Sequence, residues 1–146
     1  MPQANNKNTG HWALTLSNNV QEIPQLNAFI DEVCESHDLD PMTSMEMNLA
    51  LEEAVVNVMT YAYPEGTKGY VDISVQSDNG SLVFVISDSG KPFDPTTREE
   101  VDTSLPAEQR EIGGLGIFLV RKMMDDIKYE YKDGHNILTL RKKLNQ

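Results

Sequence analysis

Asn79-Gly80 lies between two β-rich runs, residues 70–75 and 82–86, and no other feature constrains the fold as tightly. A two-residue loop of this type takes positive φ at both positions, giving the turn whose twist matches a pair of antiparallel strands. An antiparallel hairpin therefore stands near the middle of the chain. Just upstream, residues 41–63 contain no glycine and are rich in Met, Leu, Glu and Ala, which predicts a long helix. Its core stripe is Met47, Leu51, Ala54, Val58 and Ala62. Asp40 before Pro41 reads as its N-cap.

The flanking segments complete the pattern. Residues 1–10 are polar and Asn-rich, an expected frayed tail, and residues 11–146 form one domain. Trp12, Leu14 and Leu16 alternate as in a first strand. Val20, Ile23, Leu26, Phe29, Ile30 and Val33 then recur at helical spacing after Ser17-Asn18-Asn19, which can cap a helix. Residues 91–112 carry Pro92, Pro95, Pro106 and several charges without periodicity. So long a loop, beyond about 12–15 residues, reads as a lid. Gly113-Gly114-Leu115-Gly116 opens another helical pattern with Ile117, Val120 and Met124. Residues 129–131 and 137–144 read as two further strands joined at Asp133-Gly134. The order predicts an α+β two-layer sandwich, with helices on one face of a mostly antiparallel or mixed sheet.

Composition narrows the function. The formal net charge of −11 argues against binding duplex nucleic acid or an anionic membrane, both of which call for Lys and Arg. Cys34 is the only cysteine, which excludes an internal disulfide and a cysteine-based zinc site. With no apolar signal core and no run of membrane-spanning length, the expectation is a soluble, cytoplasmic protein. There is no G-x-x-x-x-G-K-[ST] phosphate loop and no G-x-S-x-G elbow, and His11, His37 and His135 fall in three separate segments.

Three features remain. Glu53 and Asn57 share a helix face at i,i+4, with Glu46 and Thr60 along the same strip. The strip suits either a solvated helix edge or a carboxylate and an amide oxygen placed beside a hydrated magnesium ion, which needs few protein ligands. Asp88-Ser89-Gly90 ends an apolar strand. It reads as a turn, or as a carboxylate facing an exocyclic amine with Gly90 admitting a planar ring. Gly113-Gly114-Leu115-Gly116 precedes a helix, as a hinge or as backbone N–H groups cradling an anion at the positive end of the dipole.

The order of the three, divided by a long loop, brings in a known family. Glu53-Ala54-Val55-Val56-Asn57 resembles the N box of the Bergerat-fold (GHKL) ATPases, which include gyrase, histidine kinases and MutL. Asp88-Ser89-Gly90-Lys91-Pro92-Phe93-Asp94-Pro95 is similar to their first glycine box, and Gly113-Gly114-Leu115-Gly116 to their second. The Pro-Phe-Asp-Pro form and the compact length are most similar to the anti-sigma-factor serine/threonine kinases of partner-switching systems. Tyr61 stands where some members carry a histidine, and Pro92 where the superfamily usually has a second glycine.

The resemblance implies ATP and Mg2+ as cofactors, with Glu53 as general base and Asn57 as metal ligand. It implies Asp88 on the adenine amine with Gly90 beside the ring, and Gly113, Gly114, Leu115 and Gly116 at the phosphates. Arg98 and Arg110 in the lid are candidates for the transferring phosphoryl group. The expected activity is phosphorylation of a small antagonist protein, with a sigma factor as a second partner and a homodimer as an open option. A nucleotide-gated binding module without catalysis and a detached histidine-kinase catalytic domain are the alternatives.

Overall fold

The computed structural model describes residues 11–97 and 116–144. Five strands form one sheet: β1 (His11–Ser17), β2 (Tyr70–Asp78), β3 (Ser81–Asp88), β4 (Asp126–Lys132) and β5 (His135–Lys143). Their order across the sheet is β1-β2-β3-β5-β4, and every pairing is antiparallel. Of the expected alternatives, mostly antiparallel or mixed, the described sheet takes the antiparallel one throughout. Three helices, α1 (Ile23–Ser36), α2 (Pro41–Asn57) and α3 (Gly116–Met123), carry the other half of the core.

The layering follows from side-chain period. Trp12, Leu14 and Leu16 of β1, Val71, Ile73 and Val75 of β2, Leu82, Phe84 and Ile86 of β3, and Leu138 and Leu140 of β5 are buried at alternate positions. Against them the helices set Leu26, Phe29, Ile30 and Val33 from α1, Met47, Leu51, Ala54 and Val55 from α2, and Ile117 and Val120 from α3. Each such side chain contributes about 1.5–3 kcal/mol of hydrophobic stabilisation. Val20 departs from the sequence pattern and is exposed. It lies in a 3₁₀ turn (Val20–Glu22) capped by Asn19, where the phase of α1 no longer applies.

Local signals are obeyed at the turns. Asn79 and Gly80 have φ of 50° and 79°, and Asp133 and Gly134 have 53° and 79°, so both hairpins close with two-residue turns of positive φ. The Asp40 carboxylate accepts from the Thr43 N–H at 2.7 Å, with Pro41 in the first turn of α2.

The long helix differs from expectation at its end. It is α-helical only to Asn57, and residues Val58–Ala62 widen into a π turn before Tyr63 turns extended ahead of Pro64. The terminal strands are longer than the sequence suggested, beginning at Asp126 and His135. Pro95–Thr97 forms a 3₁₀ turn at the start of the presumed lid. Residues 98–112 of that lid and the tail at residues 1–10 lie outside the described residues.

Candidate functional site

Asp88 is the last residue of β3, on the helix-facing side, in line with Leu82, Phe84 and Ile86. It is 2% exposed, and burial raises its pKa above the ordinary aspartate value, opposed by hydrogen bonds from Asn136 and Gly90 and by the nearby charge of His135. Its Oδ1 accepts from the Gly90 N–H at 2.8 Å and from Asn136 Nδ2 at 2.9 Å. Its Oδ2 is buried with no partner among the described residues.

The π turn brings the end of α2 up to this carboxylate's loop. Widening at Val58–Ala62 leaves the Ala62 carbonyl available to the Lys91 N–H, which donates to it at 2.9 Å. Gly90 passes so close that a Cβ there would collide with the Ala62 carbonyl oxygen and lie 2.8 Å from its carbon. Only glycine fits. Tyr61 stacks on Phe93 at 5.4 Å between ring centroids, and the buried Tyr63 hydroxyl donates to Tyr70 O at 2.7 Å while accepting from the Ser89 N–H at 3.0 Å.

On α2 itself, Asn57 is 2% exposed, unusual for an amide in a helix. Its Nδ2 donates to the Glu53 carbonyl at 2.9 Å, one turn back, whereas its Oδ1 is buried and unpartnered among the described residues. Glu53 is half-buried, and desolvation, reinforced by the neighbouring Glu52 charge, raises its pKa. The solvated-edge reading of this strip holds for Thr60, which is exposed, and fails for Asn57. α3 packs beside α2, with Gly116 as its first residue.

An unpartnered buried acceptor costs about 1–3 kcal/mol, so each of these two oxygens favours a ligand that satisfies it. The Asp88 oxygen suits an N–H donor, and the Asn57 amide oxygen suits a hard cation that takes oxygen ligands. Both fit an aminated base and a magnesium ion. The third orphaned atom, Trp12 Nε1, lies away from this loop, its ring tilted against His37 at 5.2 Å.

Asp88, Gly90 and the α2 end are thus brought together as the sequence order suggested. Gly113, Gly114 and Leu115 of the second glycine box, and Arg98 and Arg110 of the lid, lie outside the described residues. The sequence reading missed Asn136, Tyr129 and Tyr63. Asn136 had a signal: it shares the buried face of β5 with Leu138 and Leu140, where a polar residue has to be held.

The model of the histidine kinase-like ATPase domain matches residues 16–142, nearly the whole chain. The chain belongs to this family. Among curated relatives of this histidine kinase-like ATPase, the serine-protein kinase RsbW of Listeria monocytogenes is 31% identical over 97 residues, 64% of this chain and 62% of that protein. The serine/threonine-protein kinase BtrW of Bordetella bronchiseptica is 27% identical over 94 residues, 64% of this chain and 66% of the relative. The chain thus spans about 62% of the length of the Listeria relatives that it matches.

Solved structures agree on the fold of the ATPase domain. The SiaB-SiaC complex of Pseudomonas aeruginosa superposes with a TM-score of 0.55 at 15% identity, covering 93% of this chain and 92% of that one. A histidine kinase domain from Erythrobacter litoralis gives 0.52 at 14% identity, over 82% and 61%. Among the described residues no helix is long and apolar enough to cross a membrane.

Proposed function

We propose that this ATPase-family chain is a serine/threonine protein kinase of the anti-sigma type, transferring the γ-phosphoryl group of ATP to a hydroxyl on a small antagonist protein. The observation that carries the reading is the pair of buried, unpartnered acceptors, Asn57 Oδ1 and Asp88 Oδ2, at the two places where the family resemblance sets a metal ligand and an adenine contact. The relatives named as serine kinases support the reaction class.

In this reading Asp88 Oδ2 accepts from the adenine amine, and Gly90 leaves room for the ring beside the Ala62 backbone. Asn57 Oδ1 is the protein ligand to magnesium, which when bound offsets charge on the phosphates. Glu53 receives the proton of the acceptor hydroxyl. Its raised pKa makes it a stronger base than an exposed glutamate. The N-terminus of α3, beginning at Gly116, would supply the positive end of a helix dipole to bound phosphates. The family resemblance assigns Gly113, Gly114 and Leu115 to phosphate binding and Arg98 and Arg110 to the transferring group. The chain works in the cytoplasm, with a sigma factor as its second partner.

The test is single-turnover transfer of label from γ-labelled ATP to candidate antagonist proteins, comparing the wild type with Glu53→Ala. Transfer by the wild type and its loss in the variant support the assignment. Nucleotide-dependent partner binding without transfer identifies a gated binding module instead.

A further inference from the structure

Asn136 has the most completely used side chain near the site. Its Nδ2 donates to Asp88 Oδ1 at 2.9 Å and to the Lys91 carbonyl at 2.8 Å. Its Oδ1 accepts from the Phe93 N–H at 2.9 Å and from the Tyr129 hydroxyl. Two donors and two acceptances exhaust the capacity of an amide. The orientation is also unambiguous, because the flipped amide would set its oxygen against a carboxylate and a carbonyl. Asn136 is directly paired with Asp88 across β5 and β3, so the contact is built into the register of the sheet.

Two consequences follow from this geometry. With the Gly90 N–H and Asn136 both on Oδ1, the Asp88 carboxylate cannot rotate freely, and Oδ2 is the oxygen left to meet a ligand. An acceptor fixed in that way favours a base presenting an N–H and disfavours one presenting a carbonyl. At the same time Nδ2 also holds the Lys91 carbonyl and Oδ1 holds the Phe93 N–H, so the one amide ties down the backbone at both ends of residues 91–93. A residue offering a single hydroxyl could not span both.

We propose that Asn136 is a positioning residue that sets base selectivity by orienting Asp88 and ties the base contact to the backbone at Lys91 and Phe93. This rests on the adenine-nucleotide reading above.

Two variants separate the two ends of the amide. Asn136→Ala removes all four bonds. Asn136→Asp keeps an oxygen for the Phe93 N–H and the Tyr129 hydroxyl, and removes both donors while adding a charge beside Asp88. ATP and GTP are titrated into each variant by calorimetry, and exchange of the Phe93 amide is followed in the nucleotide-free chain. In Asn136→Ala, ATP affinity falls about tenfold or more relative to GTP, and Phe93 exchanges faster. In Asn136→Asp, the preference for ATP falls similarly while Phe93 stays protected, and this variant carries the test if the alanine form does not fold. Wild-type preference for ATP retained in either folded variant, or equal losses for ATP and GTP, overturns the proposal. A wild type that binds no adenine nucleotide overturns the nucleotide reading itself, which the variants' ratios would not.

Discussion

The Lys91 N–H donates to the Ala62 carbonyl at 2.9 Å, joining the loop after β3 to the π turn that ends α2. This one bond closes the distance between the strand end that carries Asp88 and the helix that carries Glu53 and Asn57. Gly90 is trapped beside it. Gly90→Ala should therefore lower stability by about 1–3 kcal/mol, because a backbone carbonyl and not a pliable side chain stands in the way of the new Cβ. Urea unfolding reads the loss. Nucleotide titration of the remaining folded protein should show weakened ATP binding, since the loop moves away from Ala62.

Asn57→Ala separates function from stability. The substitution removes a buried oxygen with no partner among the described residues and installs a better helix former, against the loss of one bond from Nδ2 to the Glu53 carbonyl. Stability without nucleotide should be unchanged or raised, within about 1 kcal/mol. Magnesium-dependent ATP affinity should fall. Unfolding and calorimetry on the same preparation check both, and a variant that loses stability and keeps its magnesium dependence contradicts the assignment.

Asp88→Asn acts through pH as well. Burial raises the Asp88 pKa in the folded chain, so the folded state holds this proton to higher pH than the unfolded state does. The stability it brings is complete below the unfolded carboxylate's pKa and is lost as pH rises through the folded value. Above the unfolded carboxylate's pKa, burying this group is therefore a cost that the neutral amide removes. Asp88→Asn should be the more stable protein at neutral pH, with the difference shrinking on acidification through the carboxylate range. Thermal melts across pH measure this. A variant less stable than wild type at neutral pH would reverse the sign.

Much of this was legible in local sequence. Asn79-Gly80, Asp133-Gly134 and Asp40-Pro41 specify their turns and cap through backbone preferences that need no distant partner. Asp88, Gly90 and Asn57 were singled out by order and resemblance, and their roles belong to the proposed function. What the sequence did not display depends on tertiary pairing. The π turn at Val58–Ala62 exists where Ala62 meets Lys91. Asn136 matters because the register places it opposite Asp88, and Tyr63 because its hydroxyl finds Tyr70 and Ser89. Val20 misled because periodicity says nothing about where an α-helix gives way to a 3₁₀ turn.

Tyr63→Phe tests the hydroxyl bridge between Tyr70 and Ser89. Removing the hydroxyl leaves the Ser89 N–H and the Tyr70 carbonyl without this partner inside a close-packed corner, where the ring already requires glycine at position 69. The expected destabilisation is about 1–3 kcal/mol. Amide exchange at Ser89 should accelerate selectively; unchanged exchange there would show that the bridge contributes nothing.

Asp88 Oδ2 and Asn57 Oδ1, unpartnered among the described residues, are proposed to accept from an adenine amine and to bind magnesium. The most direct measurement of this central claim is a calorimetric titration of ATP and of GTP into the wild-type chain, each with magnesium present and with magnesium chelated. The account predicts ATP binding that strengthens with magnesium, and GTP binding weaker by about tenfold or more. GTP bound as tightly as ATP would contradict the role of Asp88, and ATP affinity indifferent to magnesium would contradict that of Asn57.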